Sequence, residues 1–306
     1  MRWQKLGVIF ETPTQLAWAR THAQLPFAER RGELFRVRFS SRDAEGRARV
    51  GSFDLDVRTR KVVSVRETPE IDLGALGTFD DRGATASWVV NHEGAIYQYY
   101  TGWNLGVTVP FYLGIGLAIS TDDGASYQKV SSAPVLGRSA ADPYLTASPA
   151  ILVENGIWRM WYVSCVRWVI ADGKPLHHYN IRYAESKDGI VWTPSNKAAI
   201  DFKSADEYAI SRPCVVKDGS TYRMWYAHRA SMGAATYRIG YAESNDGEVW
   251  TRHDEQAGIS VSSEGWDAGM ICYPHVFDFE GNRYMLYNGN DYSRTGIGLA
   301  LLEPQT

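Results

Sequence analysis

The chain of 306 residues is 44% hydrophobic and 22% charged, so it can bury a large core without disulfides or metals. Its net charge of -3 and its scattered Lys and Arg residues exclude the basic stripe that nucleic acids or anionic membranes require. No segment resembles a signal peptide or a membrane span, which predicts a cytoplasmic protein. The cysteines, Cys165, Cys214 and Cys272, lack the paired spacing of a zinc site and are predicted to be free, mostly buried thiols.

In chain order, the sequence begins with an apolar run at 6–10, and five related segments follow it. Met-Trp-Tyr at 160–162 recurs at 224–226 and, as Met-Leu-Tyr, at 285–287, with central residues 64 and then 61 positions apart. Stepping back by a similar interval reaches Tyr99 and then Val37, each in a β-type run. A period of this length indicates a repeat architecture with five units.

A second mark follows four of these segments, as in Gly-Leu-Ala-Ile-Ser at 116–120 and Gly-Tyr-Ala-Glu-Ser at 240–244. Asp-Gly pairs at 123–124, 188–189 and 246–247 then predict hairpin turns. Each unit therefore contains four short antiparallel strands, which is the blade of a β-propeller. We predict an all-β, five-bladed β-propeller forming a single domain over 1–306, with blades at about 20–66, 80–131, 144–193, 207–251 and 267–303.

The last unit stops after its third strand, while the run at 5–10 has no partner. We predict that this N-terminal strand is the outer strand of blade five, because it would close the ring and pair an exposed edge.

The first strand of each blade lines the central channel, so its residues and the loops that follow the second strands converge on one rim, where a ligand would bind. The inner segments lie at 22–26, 79–83, 146–149, 210–213 and 270–274, and four of them end in Pro. The rim is rich in Arg, His, Trp and Tyr, which turns alone do not require. The predicted ligand-binding residues are His22, Gln24, Asp43, Trp103, Arg167, Trp168, His178, Arg212, His228, Arg229, Tyr273, Asn288, Asn290 and Tyr292.

Carboxylates near this rim would supply general acid and base catalysis, and Asp81, Glu207 and Asp267 are the catalytic candidates. A guanidinium in the channel is costly without a partner, so Arg212 should hold either a carboxylate of the protein or an anionic group of a ligand. His22 has three alternatives: it binds a ligand hydroxyl, supports a cation, or donates to the backbone.

Together with the repeats, His-Ala-Gln-Leu-Pro at 22–26, Phe-Asp-Asp-Arg-Gly at 79–83, Ser-Arg-Pro at 211–213 and Gly-Trp-Asp at 265–267 make the chain resemble the five-bladed glycosidase-like propellers. These include glycoside hydrolase families 43, 32 and 130, and the resemblance spans nearly the whole chain. It implies a base or nucleophile Asp on blade one, a helper Asp on blade two and an acid Glu on blade three. Here Gln24 and Ser148 occupy the first and third of those segments without an acid, and only Asp80 or Asp81 fits the pattern.

Three functions therefore stay open. The one we favour is a carbohydrate-active enzyme that cleaves or rearranges a glycosidic bond of a small sugar by carboxylate chemistry, with Arg212 and Arg229 holding an anionic or phosphorylated substrate. The others are a non-catalytic glycan-binding propeller and a non-hydrolytic enzyme acting on a sugar nucleotide or another metabolite.

The resemblance allows a Ca²⁺ ion in the channel, but no segment has the dense oxygen-ligand spacing that would require it. No cofactor and no metal ligand are therefore predicted. A propeller needs no partner for stability, so we expect a monomer or weak dimer.

Overall fold

A computed structural model describes residues 1–229 and 236–304 of the chain. In the described residues, β-strands are the main regular structure, and the other elements are a 3-10 turn at Asp254–Gln256 and a helical turn, α1, at Asn290–Ser293. The strands are β1 (Trp3–Phe10), β2 (Thr21–Arg31), β3 (Leu34–Arg42), β4 (Ala48–Asp56), β5 (Lys61–Val65), β6 (Gly83–His92), β7 (Ala95–Leu105), β8 (Phe111–Ser120), β9 (Gln128–Lys129), β10 (Thr146–Glu154), β11 (Ile157–Ala171), β12 (Lys174–Ser186), β13 (Thr193–Ile200), β14 (Ala209–Asp218), β15 (Thr221–Arg229), β16 (Arg238–Ser244), β17 (Thr251–Arg252), β18 (Cys272–Phe279), β19 (Asn282–Asn288) and β20 (Ile297–Leu302). Within the described residues, no helix has the length and apolar character needed to cross a membrane.

Antiparallel pairing divides these strands into consecutive groups: β2–β5, β6–β9, β10–β13, β14–β17, and β18–β20 with β1. Single parallel bridges, Ala48 to Gly83 and Tyr179 to Ala209, join the first group to the second and the third to the fourth. The N-terminal strand β1 pairs antiparallel with β20, with Trp3 opposite Leu302. The pairing predicted for the N-terminal run is therefore present.

The first strand of each group, called its inner strand here, carries a β-bulge; these strands are β2, β6, β10, β14 and β18. In four of them the residue before a proline has a positive φ: 57° at Leu25, 46° at Ser148, 52° at Arg212 and 55° at Tyr273. Non-glycine residues seldom adopt this conformation, and strain of this kind concentrates at functional sites. The X-Pro pattern of the sequence thus marks a repeated bulge that redirects the inner strands.

A buried aspartate repeats in three groups, each time 20 residues before the tyrosine that bonds to it. Tyr100 donates to Asp80 at 2.9 Å, Tyr162 to Asp142 at 3.0 Å and Tyr287 to Asp267 at 3.0 Å. A cation lies beside each carboxylate: Lys129 at 2.6 Å, Arg182 at 3.7 Å and Lys5 at 2.7 Å, respectively. Because the same Asp–Tyr bond with a neighbouring cation recurs in different groups, we interpret it as a structural feature of the repeat.

The first group lacks this bond at both ends. Ala19 and Phe39 occupy the two positions, again 20 residues apart, and both are buried. Replacing both partners of a buried hydrogen bond by apolar groups costs little, whereas losing one partner leaves a polar group unsatisfied. The first group accordingly has apolar residues at both positions, and neither leaves a buried polar group unpaired.

Repeated glycines on the third strands make room for the tyrosine rings. A Cβ atom on Gly116 would lie 2.3 Å from the Tyr100 ring, and one on Gly240 would lie 2.5 Å from the Tyr226 ring. The Gly that opens the second sequence mark is therefore required by side-chain packing across the strand pair.

Candidate functional site

A cavity of about 420 Å³ receives side chains from the inner strand of every group. Gln24 and Leu25 come from β2, Thr85 from β6, Ser148 from β10, and the remaining two inner strands contribute Ser211 and Tyr273. The other lining residues are Arg42, Thr101, Trp103, Phe111, Leu113, Leu145, Ala147, Val163 and Tyr179. The convergence of inner strands on one cavity is what the repeat predicts.

The cavity wall combines aromatic faces with neutral hydrogen-bonding groups and one basic side chain. Trp103, Phe111, Tyr179 and Tyr273 supply the rings, and Arg42 supplies the charge. None of the residues that line it is Asp or Glu. The arrangement can therefore stack on and hydrogen-bond a polar ring-shaped ligand.

Side chains of neighbouring groups fix the inner-strand bulges by accepting hydrogen bonds from their backbone amides. Asn288 Oδ1 accepts from Leu25 N at 2.9 Å, and Thr101 Oγ1 accepts from Ser148 N at 2.9 Å. Ser40 Oγ accepts from the amide of Ala86 at 2.7 Å. These bonds connect the fifth group to the first, the first to the second and the second to the third.

Three of the predicted binding residues, Gln24, Trp103 and Tyr273, line the cavity. Gln24 Nε2 donates to the carbonyl of Tyr292 at 2.7 Å, which ties the cavity wall to the α1 turn. In that turn Asp291 and Tyr292 both have φ of 53°.

His22 lies beside the cavity and also has a positive φ, 67°. Burial lowers the pKa of His22, and the positive charges of Arg42 and Arg294 lower it further, to about 4. Its Nδ1 bonds to the Thr21 hydroxyl at 2.9 Å. The imidazole is therefore neutral at pH 7 and offers a hydrogen bond without charge.

Arg229 and Tyr292 belong to an aromatic cluster next to the cavity. The Arg229 guanidinium lies 4.6 Å from the ring centroid of Tyr208 and 4.9 Å from that of Tyr237, and it donates to the Tyr292 hydroxyl at 2.5 Å. Tyr237 in turn bonds to the hydroxyl of Tyr179, which lines the cavity.

Trp168, His178 and Arg167 lie on the long hairpin of the third group. The Trp168 ring packs edge-on against Phe111 of the cavity wall at 5.6 Å. Arg167 is exposed and pairs across the strands with His178. Trp168 thus supports the wall, whereas Arg167 points to solvent at its edge.

Four other predicted binding residues hold the protein itself together. Asn288 is fully buried, and Asn290 Oδ1 accepts from the amides of Gly269 and Met270 at 2.8 and 3.0 Å. His228 is buried with its Nδ1 3.3 Å from Glu207. Burial raises the pKa of Asp43, but hydrogen bonds from Arg49 and from the side chain and amide of Arg47 outweigh this and lower it to about 2.

The three predicted catalytic carboxylates do not line the cavity. Glu207 accepts two hydrogen bonds from Arg252, both at 2.8 Å, and Asp267 is the buried partner of Lys5 and Tyr287. Asp81 is half-buried, and its Oδ2 accepts from the amide of Gly77 at 3.0 Å. The expectation that these carboxylates converge on one pocket is corrected: two of them are consumed in ion pairs that pack the strand groups.

Arg212 is 1% exposed and lies next to Ser211 of the cavity wall. It donates to the carbonyls of Ser87 at 2.6 Å and Pro26 at 3.0 Å. Burial lowers its pKa to about 10, so the side chain is still charged at pH 7. Of the two partners expected for it, a protein carboxylate is absent from the described part of the chain.

Sequence reasoning missed Arg42, Tyr179 and the hydroxyl residues Thr85, Thr101, Ser148 and Ser211 as cavity residues. The signal for the serines was available, because they belong to the segments that precede the inner-strand prolines. Arg42 is adjacent in sequence to Asp43, and only the aspartate of this rim segment was predicted to bind a ligand. Within residues 1–229 and 236–304, no cluster of three or more His, Cys, Asp or Glu side chains is arranged to hold a metal ion.

No protein-family model matches the chain. Two proteins of Mycobacterium tuberculosis, "Uncharacterized protein MT1551" and "Uncharacterized protein Rv1502", are each 42% identical to it over 305 residues, 99% of this chain and 100% of theirs. The chain belongs to their family. This degree of identity over the full length implies the same fold in all three proteins.

Solved structures share the fold of this family at low sequence identity. A glycoside hydrolase matches with a TM-score of 0.78 and 16% identity, over 98% of this chain and 92% of its own. A thermostable family-43 glycoside hydrolase matches with a TM-score of 0.66 and 15% identity, over 97% and 94%. The Bombyx mori GH32 beta-fructofuranosidase BmSUC1 matches with 0.63 and 13%, over 98% and 62%. The chain therefore has the glycosidase-like propeller fold that its motifs resemble.

Proposed function

We propose that the consecutive strand groups are five propeller blades of four strands in a single domain, and that the protein is carbohydrate-active, with a small sugar bound in the central cavity. Four blades follow the ranges predicted from the repeat, whereas the third continues to Ile200 because its outer strand β13 lies beyond the predicted end at 193; β1 completes the fifth. The observation that carries the functional proposal is the cavity itself, which all five inner strands build and which rings and hydroxyls line.

The chemistry of the wall suits a sugar. Pyranose and furanose rings present C–H faces that pack on Trp and Tyr, and hydroxyls that pair with groups such as Gln24, Thr85 and Ser148. The cavity is of the size that accommodates a small ligand. Glycoside hydrolases of the same fold support this ligand class by analogy.

The reaction is a separate question, because the wall carries no carboxylate pair. A hydrolase requires two carboxyl groups about 5 to 10 Å apart across the bond. Glu207 and Asp267 are held in ion pairs, so the geometry favours sugar binding over carboxylate catalysis by these two residues.

Glycosidic cleavage is the second candidate, and one observation favours it. Asp81 precedes Gly83, which packs against the ring of Trp103 in the wall, and its Oδ1 is buried without a hydrogen-bond partner among the described residues. A carboxylate oxygen in that condition is available to hydrogen-bond a ligand.

A binding experiment on the full chain tests the primary proposal. Saturation-transfer NMR against a panel of monosaccharides and disaccharides should detect at least one ligand, and Trp103→Leu should weaken its binding by tenfold or more. The matched control is Trp250→Leu, which truncates a partly buried Trp outside the cavity. Binding that survives Trp103→Leu but not Trp250→Leu would refute the assigned site.

The same panel, offered as chromogenic glycosides, tests cleavage. Turnover that disappears in Asp81→Asn while sugar binding persists would establish the second candidate. Full turnover in Asp81→Asn would remove this residue from the mechanism.

A further inference from the structure

Two packed arginines away from the cavity pair with carboxylates, but the arginines around the cavity do not. Arg38 pairs with Glu29 and Glu70, and Arg252 pairs with Glu207. By contrast, within residues 1–229 and 236–304 no ion pair to a carboxylate forms at Arg42, Arg212, Arg229 or Arg294. The cavity is therefore flanked by positive charge that the protein leaves uncompensated.

Tyr273 lines the cavity together with Arg42, and its phenol interacts electrostatically with Arg42, Arg212 and Arg229. Its ring centroid lies 6.0 Å from that of Tyr237, and the Arg229 guanidinium lies 4.9 Å from the same Tyr237 ring. Burial raises the pKa of Tyr273 well above its usual value, so its hydroxyl stays protonated and can donate. One wall of the cavity thus combines a neutral donor with the Arg42 guanidinium, and two further guanidinium groups act on the same phenol from outside the lining.

Arg42 is the member of this set that reaches the cavity. It is half-buried, and its Nε is buried without a hydrogen-bond partner among the described residues. Arg294 repels it, which helps to lower its pKa after the larger effect of burial. A guanidinium in this condition is stabilised by an anion, and it can bind a carboxylate or phosphate through two parallel hydrogen bonds.

The backbone of the same sector differs from the rest of the channel. Ser40, Thr101 and Asn288 accept the bulge amides of the next group, but the equivalent residues of β11 and β15 are Val163 and Ala227. These residues have no polar side-chain atom, so the amides of Arg212 and Tyr273 lack the side-chain acceptor found in the other groups. This is the sector that the guanidinium groups flank.

We propose that this wall, formed by Arg42 and Tyr273 with Arg212 behind it and Arg229 beside it, binds an anionic group of the sugar ligand, a carboxylate or a phosphate. The inference rests on the proposed sugar-binding function and names its ligand class as acidic sugars. Arg42 makes the direct contact, and Arg212 contributes its charge from beneath the wall. Asp291, a carboxylate that interacts with His22, is exposed and does not line the cavity.

Isothermal titration of the full chain tests the inference with four probes: glucose, glucuronate, glucose 6-phosphate and inorganic phosphate. We expect at least one charged sugar to bind tenfold or more tightly than glucose, with affinity that falls as salt is added. Arg42→Gln should abolish that preference, Arg42→Lys should keep part of it, and the exposed Arg20→Gln should match the wild type. Thermal unfolding of each variant shows that it is folded.

The source of the charge is distinguished by pH. The second ionisation of a phosphate ester falls near pH 6, so affinity for glucose 6-phosphate should rise between about pH 5.5 and 7.5, whereas affinity for glucuronate should stay level.

The outcomes separate the two proposals. Equal binding of glucose and charged sugars, unchanged by Arg42→Gln, overturns the anionic subsite and leaves sugar binding intact. Phosphate binding that requires Arg42, with no sugar bound better than phosphate, supports the anion site and overturns the sugar assignment. No binding of any probe at millimolar concentration overturns the subsite for these ligand classes.

Discussion

Removing the Asp267 carboxylate tests whether the buried aspartate that recurs in three strand groups is structural. The side chain is 1% exposed, accepts from the Tyr287 hydroxyl at 3.0 Å and pairs with Lys5 at 2.7 Å. Asp267→Ala leaves a buried hydroxyl without an acceptor and a partly buried ammonium without its counter-ion. Each loss costs on the order of 1 to 3 kcal/mol, and because Lys5 is a quarter exposed we expect a total of about 3 kcal/mol.

The first strand group supplies the compensating change. Tyr287→Phe alone should cost about 1.5 kcal/mol, because it removes a hydrogen bond to a charged acceptor. The double variant Asp267→Ala/Tyr287→Phe recreates the Ala19 and Phe39 pair and leaves no unsatisfied hydroxyl. It should therefore cost less than Asp267→Ala alone, about 1.5 kcal/mol for the lost counter-ion of Lys5, giving a favourable coupling of about 3 kcal/mol.

Urea unfolding followed by tryptophan fluorescence measures these differences, provided that the dependence on urea concentration is the same for all four proteins. Additivity of the two single changes to within about 0.3 kcal/mol would refute the proposed hydrogen-bond role. So would a fully stable Asp267→Ala protein.

Further predictions concern pH, buried charge and packing. Burial raises the pKa of Glu207, but hydrogen bonds from His228, Arg252 and the Lys203 amide outweigh this and lower it to about 2. The ionised Glu207 therefore stabilises the fold above its unfolded pKa near 4.5, and this stabilisation is lost as the pH falls towards 2. Glu207→Gln should flatten the acid limb of a stability profile measured by urea unfolding, and an unchanged limb would contradict this. Arg38→Met removes the buried cation that pairs with Glu29 and Glu70 and should lower the free energy of unfolding by about 3 to 5 kcal/mol, seen as a clear drop in the thermal midpoint. The exposed Arg20→Met should leave the midpoint unchanged. Gly116→Ala places a methyl group against the Tyr100 ring and should cost about 1 to 3 kcal/mol in the same assay; a neutral effect would show that the ring can move aside.

The repeat and the propeller fold were predictable because hydrophobic alternation and Asp-Gly turns are local signals and because they recur at a nearly regular interval. The register of the first unit was not. Its centre was predicted at Val37, but the pairing of Phe39 with Gly51, like that of Tyr100 with Gly116, places the equivalent residue at Arg38. This central position is Trp in two units and a buried Arg, Tyr or Leu in the others. A hydrophobic pattern cannot predict Arg38 there, because the residue is buried through its ion pairs.

The candidate site was predictable in location and less so in membership. The inner-strand segments identified Gln24 and Tyr273, and the rim segment after a second strand identified Trp103. Glu207 and Asp267 were chosen by residue type, and a carboxylate in a structural ion pair has the same sequence appearance as a catalytic one. The spacing of 20 residues between each acid and its tyrosine would have distinguished Asp267 from a catalyst. Arg42 was missed because the absence of a counter-ion is a property of three-dimensional surroundings.

The pairing of β1 with β20 joins segments separated by nearly the whole chain, and Trp3 Nε1 also donates to the carbonyl of Ala257 at 3.1 Å. During synthesis, residues 3–10 emerge long before β20 and Ala257 are made, so this strand stays unpaired while the intervening sheets assemble. The unpaired strand is the kind of extended apolar segment that chaperones bind. Joining the two segments through a short linker and opening the chain at an exposed turn should shorten that wait and speed refolding without altering the cavity.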